Sequence, residues 1–208
     1  MSVSSESTST AGQPDPAGVT ERAVVLVPGR EYDTNCPLLY FAREAADVRE
    51  AYVEAIRWTP PDLDQIALRE WLHGPAEAWA CGQVFDALTR VDKQVPGART
   101  VLIGKSLGSR AAPVAADRDV PAVWFTPLLR TPSTVAALRR CTAPFLLVGG
   151  TADESWDGEL ARELTPHVLE LPDADHGLVV PGPLAGTIGA HAAALTAVET
   201  FLDQVAWA

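Results

Sequence analysis

The sequence TVLIGKSLGSRAA at residues 100–112 combines an apolar run with a glycine-flanked serine. Thr100–Ile103 predicts a buried strand, and Gly104-Lys105-Ser106-Leu107-Gly108 after it fits the pattern Gly-x-Ser-x-Gly before a short predicted helix. A nucleophile on a tight strand-to-helix turn has a strained backbone conformation. The residues two positions before and after it must therefore have small side chains or none, which glycine satisfies. The pattern therefore predicts that Ser106 Oγ is raised into a cleft. It also predicts that the backbone N–H of Leu107 points there from the positive end of the helix.

Outward from this stretch, apolar runs alternate with helical patterns. The predicted strands are Ala23–Val27, Glu50–Trp58, Thr100–Ile103, Ala122–Phe125, Phe145–Val148 and His167–Leu171. The predicted helices are Leu38–Glu50, Ala76–Asp92, the short one after Gly108, Ser133–Arg140, Trp156–Leu164 and a C-terminal helix with the stripe Ile188, His191, Leu195, Val198, Leu202 and Val205. This alternation predicts an α/β fold with about six strands in a mainly parallel sheet and helices on both faces. Ligands of such sheets bind at the carboxyl ends of the strands.

Length and composition favour a single folded domain. The chain has 208 residues, of which 47% are hydrophobic and 21% charged, an ordinary globular composition. Residues 1–20 are rich in Ser, Thr, Gly and Pro and cannot bury enough apolar area to offset chain entropy. They predict a disordered N-terminal tail, which leaves residues 21–208 as the domain.

Charge and cysteine content exclude several function classes. The formal net charge of −11 disfavours binding to nucleic acid or to an anionic membrane surface, since both need a basic face. No apolar run is long enough to span a bilayer, and the N-terminus lacks the basic and apolar regions of a secretory signal. The three cysteines are widely spaced, which predicts neither a disulfide framework nor a zinc site. A cytoplasmic location is therefore expected.

A serine hydroxyl needs a base to take its proton, and four histidines are candidates. His176 follows the last predicted strand and is expected at the same sheet edge as the serine. His191 lies on the apolar stripe of the C-terminal helix, His167 opens a strand at the opposite edge, and His73 precedes a helix. His176 is therefore the predicted base, and structural roles are expected for the other three.

The base in turn needs a carboxylate that fixes its tautomer and stabilises the imidazolium. Asp153 follows the fifth predicted strand, with Glu154 and Asp157 as alternatives in the same loop. Asp173 and Asp175 lie beside the histidine in sequence, but such close neighbours rarely orient one another. The predicted catalytic residues are thus Ser106, Asp153 and His176, in that chain order.

This chain order resembles that of the α/β-hydrolase superfamily over roughly residues 22–205. The chain is most similar to the small, lidless dienelactone-hydrolase-like members. Ser133–Arg140 fills most of the connection between the fourth and fifth strands, so a minimal fold without a cap domain is expected. The resemblance implies a serine hydrolase that cleaves a small carboxylic ester or thioester through an acyl-enzyme, with no metal and no organic cofactor.

The stretch after the first strand departs from the family pattern. Many members have His-Gly there, whereas this chain has Val27-Pro28-Gly29-Arg30-Glu31-Tyr32. The resemblance implies that the oxyanion donors are the backbone N–H groups of Leu107 and Arg30, with Glu31 as the alternative to Arg30. The Arg30 side chain could also pair with neighbouring acids or meet a substrate carboxylate. Tyr32, Leu128 and Trp156 are candidate substrate-binding residues, and ordinary packing is the alternative for each.

Other functions remain open at this point. The fold also serves as a non-catalytic binding or scaffold protein, and the altered stretch after the first strand favours that alternative. The same three residues could instead support acyl transfer or carbon–carbon bond hydrolysis, although an open, lidless cleft disfavours transfer because transfer needs water to be excluded. The expected partner is a small acyl substrate, with neither nucleic acid nor membrane.

Overall fold

The apolar runs of the sequence pair as parallel strands of one sheet. The computed structural model describes residues 21–208, and the predicted tail at residues 1–20 lies outside the described residues. The strands are β1 (Arg22–Val27), β2 (Tyr52–Ala55), β3 (Arg99–Lys105), β4 (Ala122–Phe125), β5 (Phe145–Gly150) and β6 (Val168–Leu171). Their order in the six-stranded sheet is β2-β1-β3-β4-β5-β6, and every neighbouring pair is parallel. The predicted α/β sheet is confirmed.

Helices cover both faces of the sheet. They are α1 (Pro37–Asp47), α2 (Gln65–His73), α3 (Pro75–Gln94), α4 (Ala112–Arg118), α5 (Pro132–Arg140), α6 (Gly158–Leu164) and α7 (Leu184–Phe201), with a 3₁₀ turn at Ser106–Ala111 and a π turn at Leu202–Ala206. Helices α3 to α6 pack on the face that carries Val25 and Leu102. Helices α1 and α7 pack on the face that carries Val24 and Ile103. Alternate residues of each central strand therefore enter opposite cores, which explains their continuous apolar sequence.

One helix has no counterpart among the predicted elements, and one strand is shorter than predicted. Helix α2 lies in the segment after Pro60-Pro61, for which no element is predicted. The Asp64 carboxylate caps this helix by accepting from the backbone N–H groups of the second and third residues after it. Strand β2 covers only Tyr52–Ala55 because it is an edge strand that pairs with β1 alone. The remaining elements differ from the predicted ones by a few residues at their ends.

The buried face of α7 also differs from the predicted stripe. Its buried residues are Thr187, Ala190, Ala194, Val198 and Phe201, whereas Ile188 of the predicted stripe is 61% exposed. Helix α7 packs against α1, whose buried face carries several alanines. Ala190 and Ala194 face inward together with Val198 and Phe201, and small side chains at such positions allow the two helices to approach closely. Among residues 21–208, no helix is long and apolar enough to cross a bilayer.

A glycine contact joins the turn after β3 to the end of β1. A Cβ atom on Gly108 would lie 2.9 Å from the carbonyl oxygen of Val27 and 3.0 Å from that of Pro28. Both oxygens belong to backbone, which cannot rotate aside as a side chain can. The absence of a side chain at Gly108 thus allows the 3₁₀ turn to lie directly on the loop after β1.

Substitution Gly108→Ala is expected to destabilise the fold by about 1–3 kcal/mol, the typical result of overpacking a tight contact. The matched control is Gly189→Ala, because Gly189 is an exposed helical residue with open space around its Cβ position. That control is expected to stabilise the fold by about 0.5–1 kcal/mol, since alanine loses less backbone entropy in a helix. Urea unfolding followed by circular dichroism measures both changes. Equal stability of the two variants would contradict the assigned contact.

Candidate active site

Ser106 occupies a strained backbone position at the carboxyl end of the central strand β3. It is the first residue of the 3₁₀ turn, and its φ angle is +53°, in the left-handed region that non-glycine residues rarely adopt. Such conformations cost on the order of 1–3 kcal/mol and persist where the surrounding structure enforces them, often at functional sites. The predicted tight turn at the serine is thus present in the structure.

Two hydrogen bonds connect Ser106, His176 and Asp153 in a line. Ser106 Oγ lies 2.7 Å from His176 Nε2, and His176 Nδ1 lies 2.8 Å from Asp153 Oδ2. An ionised carboxylate only accepts hydrogen bonds, so Nδ1 carries the proton donated to Asp153. In the neutral imidazole, Nε2 is then free to accept from the serine hydroxyl. The carboxylate is nearly inaccessible to solvent, with 2% of the side chain exposed, whereas the imidazole is 41% exposed.

The turn after β5 places Asp153 rather than its sequence neighbours beside the histidine. The backbone N–H of Asp153 donates to Gly150, and its Oδ1 accepts from the N–H of Ser155 at 2.8 Å. This leaves Oδ2 for the imidazole. Of the two alternative acids, Asp157 caps α6 through the N–H of Leu160, and the carbonyl of Glu154 accepts from Arg130. The Asp157 carboxylate is thus committed to another contact, whereas the Glu154 contact involves its main chain, and His176 Nδ1 bonds to Asp153.

The loop that carries His176 is organised by the acidic residue before it. Asp175 Oδ1 accepts from the backbone N–H groups of Gly177 at 2.7 Å and Val179 at 2.9 Å. The backbones of Asp175 and Val179 also bond to each other. Asp175 thus shapes the turn, and the imidazole ring is left to Asp153. His167 stacks on Phe201 with ring centroids 5.4 Å apart.

A cavity of about 630 Å³ adjoins the serine. It is lined by Arg30, Gln65, Leu68, Arg69, Leu72, Ser106, Leu107, Leu128 and Thr131. Of the predicted site residues, Arg30, Leu107 and Leu128 therefore lie with Ser106 around one space. The wall contributed by α2 is missed by the sequence analysis. The signal that could have found it is Asp64 as a helix cap, followed by leucines four residues apart at positions 68 and 72.

Two predicted substrate-binding residues lie away from this cavity. Trp156 is 5% exposed, donates from Nε1 to the Glu170 carboxylate at 2.7 Å, and packs in the core. The Tyr32 hydroxyl accepts from the backbone N–H of Leu38 at 2.9 Å, and burial raises the pKa of Tyr32 to about 12. Trp156 therefore serves packing, whereas Tyr32 is half-buried and lines a second cavity of about 590 Å³ beside the loop after β1.

The loop after β1 is held in a defined turn beside the 3₁₀ helix. The backbone N–H of Gly29 donates to the carbonyl of Tyr32 at 2.8 Å, and the carbonyl of Gly29 accepts from Trp58 Nε1 at 2.9 Å. Arg30 borders both the cavity at Ser106 and the second cavity beside this loop, whereas Glu31 lines the second. The Arg30 guanidinium pairs with the Glu31 carboxylate at 2.6 Å, and both side chains are exposed. Within residues 21–208, no group of three or more His, Cys, Asp or Glu side chains could hold a metal ion.

Comparison with known proteins finds similarity in structure alone. No protein-family model matches the sequence, and no curated protein matches it. Dienelactone hydrolase from Anabaena variabilis superposes with a TM-score of 0.65 and 21% identity, covering 91% of this chain and 89% of that one. An α/β serine hydrolase without a lid from Xanthomonas campestris gives a TM-score of 0.61 and 17% identity over 93% and 87% of the chains.

A further match is a cold-adapted esterase from an Arctic intertidal metagenomic library. Its TM-score is 0.62 at 18% identity, covering 88% of this chain and 83% of that one. These similarities extend over nearly the whole described chain. They confirm the predicted α/β-hydrolase fold, and the predicted absence of a cap domain between the fourth and fifth strands. At such low identity they establish the fold alone.

The hydrogen bond between His176 and Asp153 is testable by proton NMR. An imidazole Nδ1–H held by a buried carboxylate is expected to give a resonance downfield of the backbone amides, because the short charge-assisted bond deshields the proton. Asp153→Ala should abolish this resonance. The matched control Asp157→Ala removes a carboxylate from the same loop that caps α6 instead, and it should retain the signal. Loss of the resonance in both variants would contradict the assignment.

Proposed function

We propose that this protein is a serine hydrolase that cleaves a small carboxylic ester or thioester through an acyl-enzyme intermediate. The observation that carries the proposal is the hydrogen-bonded line from Ser106 through His176 to the buried Asp153. A nucleophile within hydrogen-bond reach of a base, itself oriented by a third group, is the arrangement that activates a serine hydroxyl.

In the proposed reaction, Ser106 Oγ attacks the substrate carbonyl while His176 Nε2 takes the hydroxyl proton. The histidine then gives this proton to the departing alcohol or thiol, and Asp153 stabilises the imidazolium in between. Water, activated by the same histidine, attacks the acyl-enzyme and releases the acid and the free serine. The proposed steps use only side chains, backbone groups and water.

Two backbone N–H groups are the proposed donors to the tetrahedral oxyanion. Leu107 follows the nucleophile at the start of the 3₁₀ turn, and Arg30 lies across the same cavity after β1. A backbone donor does not depend on its side chain, so proline in place of the usual histidine in this loop is compatible with the role. Preorganised donors of this kind supply a large share of catalysis in acyl transfer.

The cavity supports a small, partly apolar acyl group as substrate. Its volume of about 630 Å³ is in the usual range for small-molecule sites, and four leucines line it: Leu68, Leu72, Leu107 and Leu128. The exposed Gln65 and Arg69 of α2 form part of its rim. A short acyl chain packed against the leucines would bring its carbonyl carbon to Ser106 while the leaving group stays near solvent.

The nucleophile can be tested without knowledge of the natural substrate. A fluorophosphonate probe is expected to add once to the wild type, and Ser106→Ala should show no adduct by intact-mass analysis. Hydrolysis of p-nitrophenyl acetate by this variant should fall by roughly 10³-fold or more, the usual loss when a triad member is removed. The control Thr196→Ala removes an exposed hydroxyl that bonds only within α7, and it should react as the wild type does. A folded wild type that forms no adduct would make a non-catalytic binding protein the better description.

The second oxyanion donor depends on the turn that Trp58 holds. Trp58→Phe keeps an aromatic ring against Trp79, whose ring centroid lies 4.8 Å away, but removes the hydrogen bond to the carbonyl of Gly29. Because losing a whole oxyanion donor costs about 10²–10³ in rate, displacing one is expected to lower kcat by about tenfold with little change in KM. The control Trp79→Phe keeps the bond to Gly29 and should leave kcat nearly unaltered. Equal kcat values for the two variants would argue against Arg30 as a donor.

A further inference from the structure

Lys105 is a buried cation that the proposed mechanism does not use. Its relative exposure is only 4%, although it directly precedes the nucleophile in the chain. Nζ donates to the main-chain carbonyl of His176 at 2.8 Å and lies 5.0 Å above the centre of the Tyr32 ring. Burying an ammonium group is unfavourable unless hydrogen bonds and opposite charges compensate it. An apolar side chain of similar length would fill the same space without that penalty.

The hydrogen bond to the His176 carbonyl indicates a role for the buried ammonium group of Lys105. The loop of the histidine offers two consecutive carbonyls to neighbouring elements: that of His176 accepts from Lys105, and that of Gly177 lies 3.3 Å from His191 Nε2 on α7. Lys105 is bonded covalently to Ser106. A single residue therefore ties the backbone of the nucleophile to the backbone of the base.

We propose that Lys105 is a positioning residue that holds His176 Nε2 at hydrogen-bond distance from Ser106 Oγ through its bond to the main-chain carbonyl of His176. This inference rests on the proposed serine hydrolase function. The bond acts on the loop and leaves the imidazole ring free to exchange protons. Misplacing a reacting group by about 1 Å can lower a rate by about 10²-fold, so a contact of this kind is sufficient to matter.

The charges around Lys105 give the proposal a pH signature. Burial lowers the pKa of Lys105 to about 8, and the carboxylates of Asp153 and Asp175 and the thiol of Cys36 oppose this shift. The protonated amine donates to a carbonyl more strongly than the neutral amine does. As the pH rises through about 8, the hydrogen bond from Lys105 Nζ to the His176 carbonyl is expected to weaken. The pH profile of kcat should therefore fall on its basic side with the titration of Lys105.

The lowered pKa of Lys105 also makes a positioning role distinguishable from a purely structural one. The folded-state pKa of about 8 lies below the ordinary value of 10.5, so the folded chain binds this proton more weakly than the unfolded chain. The charge of Lys105 therefore destabilises the fold below pH 8, and this effect is relieved as the pH rises toward 10.5. An uncharged residue here is expected to maintain or raise the melting temperature at neutral pH while activity falls.

The test compares Lys105→Met with Lys93→Met. The chain has two lysines, and Lys93 is exposed near the end of α3, so the second variant is a matched control. Hydrolysis of p-nitrophenyl acetate and the rate of fluorophosphonate labelling are measured from about pH 6 to about pH 9.5, together with the melting temperature. For Lys105→Met we expect kcat at neutral pH to fall by about 10–10²-fold, with KM little changed and no basic limb near pH 8. The control should match the wild type.

The other outcomes each contradict a specific statement. Wild-type rates and an unaltered basic limb in Lys105→Met would overturn the positioning role while leaving the hydrolase proposal intact. A parallel fall of activity and melting temperature would assign Lys105 a structural role only. A wild type that does not react with fluorophosphonate would overturn the proposed function, and the role of Lys105 with it.

A second measurement does not depend on the variant folding. With ¹³C-labelled lysine, the wild type gives signals from two residues, and Lys93→Met identifies which belongs to Lys105. The titration midpoint of the Lys105 signal is expected near pH 8 and should coincide with the basic limb of kcat. A midpoint well separated from that limb would overturn the proposal.

Discussion

The close approach of two backbone segments at the carboxyl edge of the sheet fixes the geometry of the site. The turn after β3 lies against the carbonyls that end β1, which requires a residue without a side chain at Gly108. This contact leaves Ser106 in the left-handed region and brings Arg30 to the same cavity. Because the strands are parallel, the loops that carry Asp153 and His176 reach that edge as well. The hydrogen-bonded line of side chains depends on this edge of the sheet.

Residues in the central strands could be predicted because burial on both faces leaves a continuous apolar run, as in β3 and β4. The edge strand β2 has one pairing partner and only partly buried residues, so its ends follow from tertiary contacts that a local pattern does not contain. Helix α2 was missed for a related reason. The helix has only nine residues, and its apolar positions do not form one buried stripe, since Ile66 is 76% exposed.

The parts of the candidate site that follow directly from the positions of strand ends along the chain could be predicted. Ser106 and His176 each follow a strong strand signal, and parallel strands bring such ends together. Which acid in the loop after β5 faces the histidine was not determined by sequence, because a bond from the Asp153 N–H to Gly150 sets the direction of the turn. Aromatic residues posed the same difficulty: Trp156 follows β5 in the chain, yet its side chain is buried and its indole bonds to the half-buried Glu170 carboxylate.

Buried cations on both sides of Ser106 show where stability and the proposed function oppose each other. Burial lowers the pKa of Arg110 as it does that of Lys105, and Arg110 at 1% exposure bonds to Ser133 and Thr134. A fold selected for stability alone would favour apolar residues at such positions, because the interactions of a buried ion seldom offset its whole desolvation cost. The two cations differ in what they join. Arg110 connects the 3₁₀ turn to α5, a framework contact, whereas Lys105 connects β3 to the loop of His176. The geometry of the Ser106–His176 pair therefore depends more directly on Lys105.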